Sequence, residues 1–191
     1  MSSLILASSS KYRQALLFRL GVNFECISPA IDETPLPNET PLQLVKRLSI
    51  DKANKVAQIH PENFILGSDQ VAVFEQKIIG KPKVFEAAYK QLSTFSGNSI
   101  QFLTGVALIN RQEKVCSFEH SEVTVKFRCL TKQQICNYLE IDQPFDCAGS
   151  FKVERLGISL FESINSDDPT SLEGLPLIKV CSLLRSVGLL L

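Results

Sequence analysis

An uninterrupted apolar run, Leu4-Ile5-Leu6-Ala7, passes directly into Ser8-Ser9-Ser10 and then into a helical pattern carrying Arg13. Few local structures accept that succession: the run reads as a strand, and hydroxyl residues ahead of a helical period mark a helix N-terminus. A strand that ends at a helix N-terminus gathers exposed backbone N–H groups and the positive end of the helix dipole. Serine hydroxyls add donors there, and Arg13, one turn in, carries a fork suited to phosphate. Ser8 and Arg13 are therefore candidates for holding a phosphorylated ligand. Taken alone, the same serines can equally do no more than cap the helix.

Strand-like and helix-like segments alternate along the chain. The first helical pattern covers residues 11–20 and stops at Gly21, and residues 24–27 read as a strand. A proline-punctuated loop, Asp32-Glu33-Thr34-Pro35-Leu36-Pro37, precedes Thr40-Pro41-Leu42-Gln43, a capping box with proline at the first helical position. The helix it opens is expected to reach Ile59. Leu44, Val45, Leu48, Val56 and Ile59 recur at helical spacing, so Lys52 rides on an amphipathic helix. Phe64-Ile65-Leu66-Gly67 reads as a central strand delivering Ser68-Asp69-Gln70 at its end, with Val71-Ala72-Val73 beyond. A short strand and turn at residues 78–82 lead to a helix over residues 84–95 that closes at Gly97.

Residues 100–109 and 115–127 read as an antiparallel pair, and Thr131-Lys132-Gln133-Gln134 opens another helix. A strand is expected over residues 157–164, then a polar loop through Asp167-Asp168-Pro169 and a closing helix after Gly174-Leu175-Pro176. The two loop acids are read as a turn that opens a helix, not as metal ligands. The pattern is α/β with a mixed sheet flanked by helices.

With 191 residues, 45% of them hydrophobic, the chain can bury a real core as one large domain or two joined lobes. Lys plus Arg number 20 and Asp plus Glu number 20, so no global positive field holds nucleic acid by its backbone, and any phosphate binding must be local. No apolar run approaches a membrane span and no secretory pattern opens the chain, so a cytoplasmic location with no membrane partner is expected. The six cysteines lack CxxC spacing or nearby histidines, which argues against zinc and for reduced, mostly buried thiols. His60 and His120, the only histidines, stand near no plausible nucleophile. The chemistry must rest on carboxylates and cations.

The islands that carry it are Leu6-Ala7-Ser8-Ser9-Ser10-Lys11-Tyr12-Arg13, Asp32-Glu33-Thr34-Pro35, Asp51-Lys52-Ala53, Gly67-Ser68-Asp69-Gln70-Val71 and Gly80-Lys81-Pro82. In this order and spacing they resemble the Maf family of nucleoside triphosphate pyrophosphatases. The resemblance covers essentially the whole chain, because Ala148-Gly149-Ser150-Phe151-Lys152 and Gly174-Leu175-Pro176-Leu177 look like that family's C-terminal motifs. Ser-Asp-Gln, where the better-known branch has Ala-Asp-Thr, further resembles the subfamily that acts on 7-methyl-GTP. Gln14 departs from the pattern, since the family usually presents a second consecutive arginine there.

The resemblance implies a two-lobed architecture over residues 1–191 around one active-site cleft, cleavage of the α–β phosphoanhydride bond, a divalent cation (Mg²⁺ or Mn²⁺), and a nucleoside triphosphate as the partner; it admits a homodimer. Such cleavage needs a water aimed in line at phosphorus, neutralisation of a polyanion and stabilisation of departing diphosphate. Asp69 is then the candidate base and a metal ligand, and Glu33 the second acid, orienting water or holding the metal. Ser8, Arg13, Lys52 and Lys81 would grip the phosphates. Tyr12, Gln70 and Glu154 would line the base pocket: methylation at N7 leaves guanine cationic, which suits an aromatic face and a carboxylate, and Gln70 would offer the base edge a donor and an acceptor. Each has a plainer alternative, with Asp69 a turn cap, Glu33 a loop acid, Lys52 a solvated helix charge, Lys81 a turn residue, Tyr12 a helix-surface aromatic and Glu154 a solvated strand acid. Rival functions are dTTP/UTP pyrophosphatase activity and a non-catalytic nucleotide-binding regulator of cell division or septum formation.

Overall fold

A computed structural model of the protein describes residues 3–190. The elements run β1 (Leu4–Ala7), α1 (Lys11–Phe18), β2 (Phe24–Cys26), α2 (Pro41–Ala57), β3 (Phe64–Phe74), β4 (Lys77–Ile79), α3 (Phe85–Phe95), β5 (Ser99–Asn110), β6 (Val115–Phe127), α4 (Lys132–Asp142), β7 (Phe161–Ser166) and α5 (Leu177–Ser186). The strands form a seven-stranded sheet in the order β2-β1-β3-β5-β6-β7, with β4 paired to β3 off that path. β1 is parallel to β2 and β3, whereas β3 with β4 and β6 with β7 are antiparallel, so the sheet is mixed. The α/β class expected from the alternation of elements is the one observed.

The chain divides into two compact units, one comprising Met1–Gln70, Leu103–Ser121 and Asp168–Leu191, the other Val71–Phe102 and Glu122–Asp167. In the first unit the strand side chains alternate between two cores, as a period of two requires. Leu4, Leu6, Phe64 and Leu66 pack with Leu16 and Leu17 of α1 and with Val180, Leu183 and Leu184 of α5. Ile5, Ala7 and Ile65 pack with Ala53, Val56 and Ala57 of α2. Each such leucine or phenylalanine contributes roughly 1.5–3 kcal/mol by leaving water, so the two layers fix the rotation of α1 and α2 about β1 and β3.

Gly67 sets how closely α2 lies on the sheet. A Cβ there would collide with the Ser49 carbonyl and with the Ala53 nitrogen, so only glycine lets β3 pass this near to the helix backbone. The second unit is built round aromatic side chains: Phe127 meets Phe161 edge-on with ring centroids 5.0 Å apart, and Phe151 meets Phe102 at 5.3 Å. Among the described residues no helix is long and apolar enough to cross a membrane.

The cysteines are free but not buried as expected: Cys26, Cys116 and Cys129 are exposed and Cys136, Cys147 and Cys181 half-buried, because they lie outside the two apolar cores. Several boundaries also differ from the sequence expectation. The last turn of the first helical pattern tightens into i→i+3 bonds, Arg19 N–H to Leu16 O and Gly21 N–H to Phe18 O. Gly21 then turns the chain at a φ of 66°. α2 stops at Ala57 rather than Ile59, where the chain tightens into an i→i+3 bond from Ile59 N–H to the Val56 carbonyl at 3.0 Å. β3 is a single strand of 11 residues that runs on through Val71-Ala72-Val73, so Asp69 is set inside a core strand, as the strand character on both sides of it leads one to expect. The expected strand over residues 157–164 is instead a 3-10 turn, Leu156–Leu160, followed by β7. Gly157 donates to the Lys152 carbonyl at 3.1 Å and presses so closely on it that the chain must coil before it can extend.

Candidate active site

In register, Ala7 at the end of β1 lies beside Gly67 of β3, so the serine turn that follows β1 lies level with Ser68, Asp69 and Gln70. Strand parity then divides those three. Asp69 shares the Ile65–Gly67 side and faces α2, while Ser68 and Gln70 share the Leu66 side and face α1 and the segment before α5.

On the α2 side one ammonium holds two carboxylates. Lys52 Nζ lies 2.6 Å from Asp69 Oδ1 and 2.7 Å from Glu33 Oε1. Lys52 and Asp69 are buried, at 6% and 7% exposure, which excludes the solvated-charge reading of Lys52. Ser49, one helical turn ahead of Ala53, accepts the Asp69 backbone N–H on its hydroxyl oxygen at 3.1 Å and donates its own proton to the Val45 carbonyl at 2.7 Å. Asp69 is thus fixed at both its backbone and Oδ1. Glu33 reaches Lys52 from the exposed loop ahead of α2. Arg47 braces that loop: it binds Glu39 through Nε at 2.7 Å and Nη2 at 2.8 Å, and donates to the Thr34 carbonyl at 3.1 Å. The Arg47 guanidinium holds the Glu39 carboxyl down at about 2. Asp32 adds a turn by accepting the Thr34 N–H at 2.9 Å.

On the other side, Ser10 caps α1, its hydroxyl oxygen accepting the Arg13 N–H at 3.4 Å. The capping alternative therefore holds for Ser10. Ser8 is buried and accepts the Ser10 N–H at 3.1 Å, leaving its hydroxyl proton with no acceptor among the described residues. Arg13 Nε donates to the Gly174 carbonyl at 2.8 Å, which leaves the terminal guanidinium nitrogens for another anion. Burial lowers the Arg13 guanidinium from its ordinary value, and the charges of Asp69 and Glu33 oppose that shift. Arginine stays protonated under such a shift, so it is a fixed positive charge within electrostatic reach of both acids.

Among the described residues there is no cluster of three or more His, Cys, Asp or Glu able to hold a metal by themselves. Two carboxylates gathered on one ammonium do fit a cation that takes one or two protein carboxylates and completes its shell with ligand phosphates, the habit of Mg²⁺.

A family model described as Maf-like protein matches residues 3–187. The chain belongs to the Maf-like protein family. It is 50% identical over 188 residues to a protein of Pseudomonas fluorescens strain Pf0-1 named 7-methyl-GTP pyrophosphatase, with 98% of each chain covered. Proteins of the same name from Pseudomonas fluorescens strain Pf-5, at 51% over 188 residues and 98% of each chain, and from Nitrosococcus oceani, at 50% over 186 residues, 97% of this chain and 94% of the relative, match it similarly.

Within this Maf-like chain the structure gathers Glu33, Lys52 and Asp69 directly, and sets Ser8, Tyr12, Arg13 and Gln70 in the same unit. Lys81 and Glu154 belong to the other unit, both exposed, Glu154 in a turn rather than a strand. Gln70 directs its amide nitrogen inside the protein, to Thr104 Oγ1 at 2.9 Å and the Ser171 carbonyl at 2.8 Å, so of the donor and acceptor expected to meet a base the donor is already engaged. Asp168 is fully buried, and its carboxylate accepts from Thr170 N–H at 3.2 Å, the Thr170 hydroxyl at 2.8 Å and Ile178 N–H at 2.7 Å at the start of α5. That is the helix-opening role the sequence assigned to it.

Arg47 and Gln91 are functional supports that the sequence does not announce. Gln91 of α3 accepts the Ser150 hydroxyl and donates to the Gly80 carbonyl at 3.0 Å, tying the turn that carries Lys81 to the Gly149-Ser150-Phe151-Lys152 segment. Neither residue stands in a motif. For Arg47 the only signal is its place one turn before Asp51 on the helix that carries Lys52.

Proposed function

We propose that this protein is a nucleoside triphosphate pyrophosphatase that hydrolyses 7-methyl-GTP to 7-methyl-GMP and diphosphate, keeping modified nucleotides of the cytoplasmic pool out of nucleic acids. The observation that carries the chemistry is the Lys52 ammonium bridging Glu33 and Asp69 beside the Arg13 anion site. The substrate rests on membership of the family and on relatives at 50% identity that bear that name.

Lys52 holds Asp69 Oδ1, so Asp69 Oδ2 is the oxygen left to take a proton from the attacking water. An ionised carboxylate in a buried, pre-oriented position does this without reorganising at the moment of reaction. Glu33, on a braced loop, orients that water or contributes an oxygen to the cation. Ser8 and Arg13 supply a hydroxyl donor and a guanidinium to the phosphates. Lys52, expected to meet only phosphate, instead has two protein partners, so its first task is to hold the two acids together against their mutual repulsion. A divalent cation held by Asp69 and Glu33 would supply Lewis-acid polarisation of the phosphate oxygens and neutralise the polyanion. Lys81 as a phosphate ligand, and Tyr12 and Glu154 as base-pocket residues, rest on the family resemblance.

A pure triphosphate-binding regulator would gain nothing from two carboxylates beside the ligand, and this favours turnover. The test is a panel of 7-methyl-GTP, GTP, dTTP and UTP with diphosphate detection, with and without Mg²⁺ or Mn²⁺. The expected outcome is diphosphate release with the highest kcat/KM for 7-methyl-GTP; a preference for dTTP or UTP would refute the substrate assignment.

A further inference from the structure

The committed amide of Gln70 joins a continuous set of bonds that ends on Arg13. The Ser171 carbonyl accepts from Gln70 Nε2 at 2.8 Å, from Thr104 Oγ1 at 3.0 Å and from the Gly174 N–H at 2.9 Å. Since Thr104 spends its proton on Ser171, its lone pair receives the second Gln70 N–H at 2.9 Å, and the Leu172 carbonyl lies further off at 3.4 Å. The acceptors are backbone carbonyls and an already donating hydroxyl, so the amide is oriented with its nitrogen inward. Thr104 and Ser171 are fully buried. Gly174 then turns the chain at a φ of 110°, a conformation glycine adopts without strain. It presents its carbonyl to Arg13 Nε at 2.8 Å and to the Ser68 hydroxyl at 3.3 Å.

We propose that Gln70 is a positioning residue for triphosphate binding: its amide pins the 171–174 turn, and the turn's Gly174 carbonyl aims the Arg13 guanidinium at the anion site after β1. The proposal rests on the pyrophosphatase reading for the identity of the anion. It concerns the anion site and is separate from the expected part of Gln70 in base selectivity. An arginine held only by its flexible stem must lose rotamer freedom on binding, whereas one already fixed through Nε presents its terminal nitrogens at lower cost.

Inorganic tripolyphosphate separates the two roles, because it has no base to read. Its affinity is measured by calorimetry for the wild type, Gln70→Ala, Thr104→Val, Arg13→Ala and the Gln70→Ala/Arg13→Ala pair, with circular dichroism melts to establish that each variant is folded. Gln70→Ala should weaken tripolyphosphate roughly tenfold, the loss of one or two neutral hydrogen bonds from the support of a charged contact. Thr104→Val should weaken it in the same direction. In the Arg13→Ala background Gln70→Ala should add less than about twofold, the non-additivity expected of groups acting through one another. In turnover, KM should rise for both 7-methyl-GTP and GTP.

Wild-type affinity in folded Gln70→Ala, additive losses in the double variant, or a wild type that binds no tripolyphosphate would each overturn the proposal. If Gln70→Ala does not fold, Thr104→Val carries the same test with the same outcomes. A wild type that binds tripolyphosphate with this coupling yet cleaves no 7-methyl-GTP would count against the pyrophosphatase reading and leave the positioning role standing.

Discussion

Replacing Lys52 by methionine keeps the stem that packs within the first unit and deletes only the ammonium. Asp69, with a side chain 9% exposed, would then be a buried carboxylate stripped of its counter-charge, while Glu33, at 55%, can turn to water. Breaking a buried pair from one side costs about 3–5 kcal/mol, whereas an exposed pair contributes about 0–1 kcal/mol. Lys52→Met should therefore lower stability by about 3–5 kcal/mol, almost all of it through Asp69, and Glu33→Gln by less than about 1 kcal/mol. For a chain of this size the first figure corresponds to a fall in Tm of roughly 6–20 °C. Removing the stranded charge as well, in Lys52→Met/Asp69→Leu, should restore most of the loss, because the site then holds apolar groups of similar volume. Urea unfolding followed by circular dichroism reads all three variants. A Lys52→Met protein within about 1 kcal/mol of the wild type, or a double variant less stable than the single one, would refute the reasoning that Lys52 and Asp69 form a buried, mutually dependent pair.

Asp69→Asn should cut kcat at least about a hundredfold in protein that circular dichroism shows to be folded, since the amide preserves shape but cannot accept the water's proton; a near wild-type rate would remove Asp69 from the mechanism. Lys81→Ala should raise KM for every nucleoside triphosphate with little change in stability, as expected of an exposed cation, and steady-state kinetics at unchanged Tm checks both halves. Glu39 is held at about 2, below its ordinary 4.5, so the stability it contributes is complete above that ordinary value and is lost as pH falls towards 2. Glu39→Gln should accordingly show a shallower fall of urea midpoint across that window than the wild type, and parallel curves would count against the Arg47 clamp.

The elements that can be read in the sequence are those whose cause is local. Thr40-Pro41-Leu42-Gln43 opens α2 because the capping bonds are made within one turn. The Thr40 hydroxyl oxygen accepts Gln43 N–H at 3.3 Å, and the Gln43 side chain accepts Thr40 N–H at 2.9 Å. The run ending at Gly67 can be placed as a buried strand for the same reason. What stays hidden depends on contacts between distant segments. Nothing in the spacing of Glu33, Lys52 and Asp69 says that one ammonium meets both acids, since that follows from how closely Gly67 lets α2 approach β3. Gln70 looks like a free amide in the sequence because its acceptors, Thr104 and the 171–172 carbonyls, come from other parts of the chain. The coil at Leu156–Leu160 reads as strand from its alternating apolar residues, but packing of Gly157 on Lys152 overrides that period.

If water activated at Asp69 attacks the α-phosphorus while diphosphate departs, the oxygen of that water must end in the nucleotide product. Hydrolysis of 7-methyl-GTP in ¹⁸O-labelled water, with the products resolved by mass spectrometry, follows it there. One labelled oxygen is expected in 7-methyl-GMP alongside unlabelled diphosphate, with both products lost together in Asp69→Asn. Label in the diphosphate, or release of orthophosphate in its place, would contradict attack at the α-phosphorus.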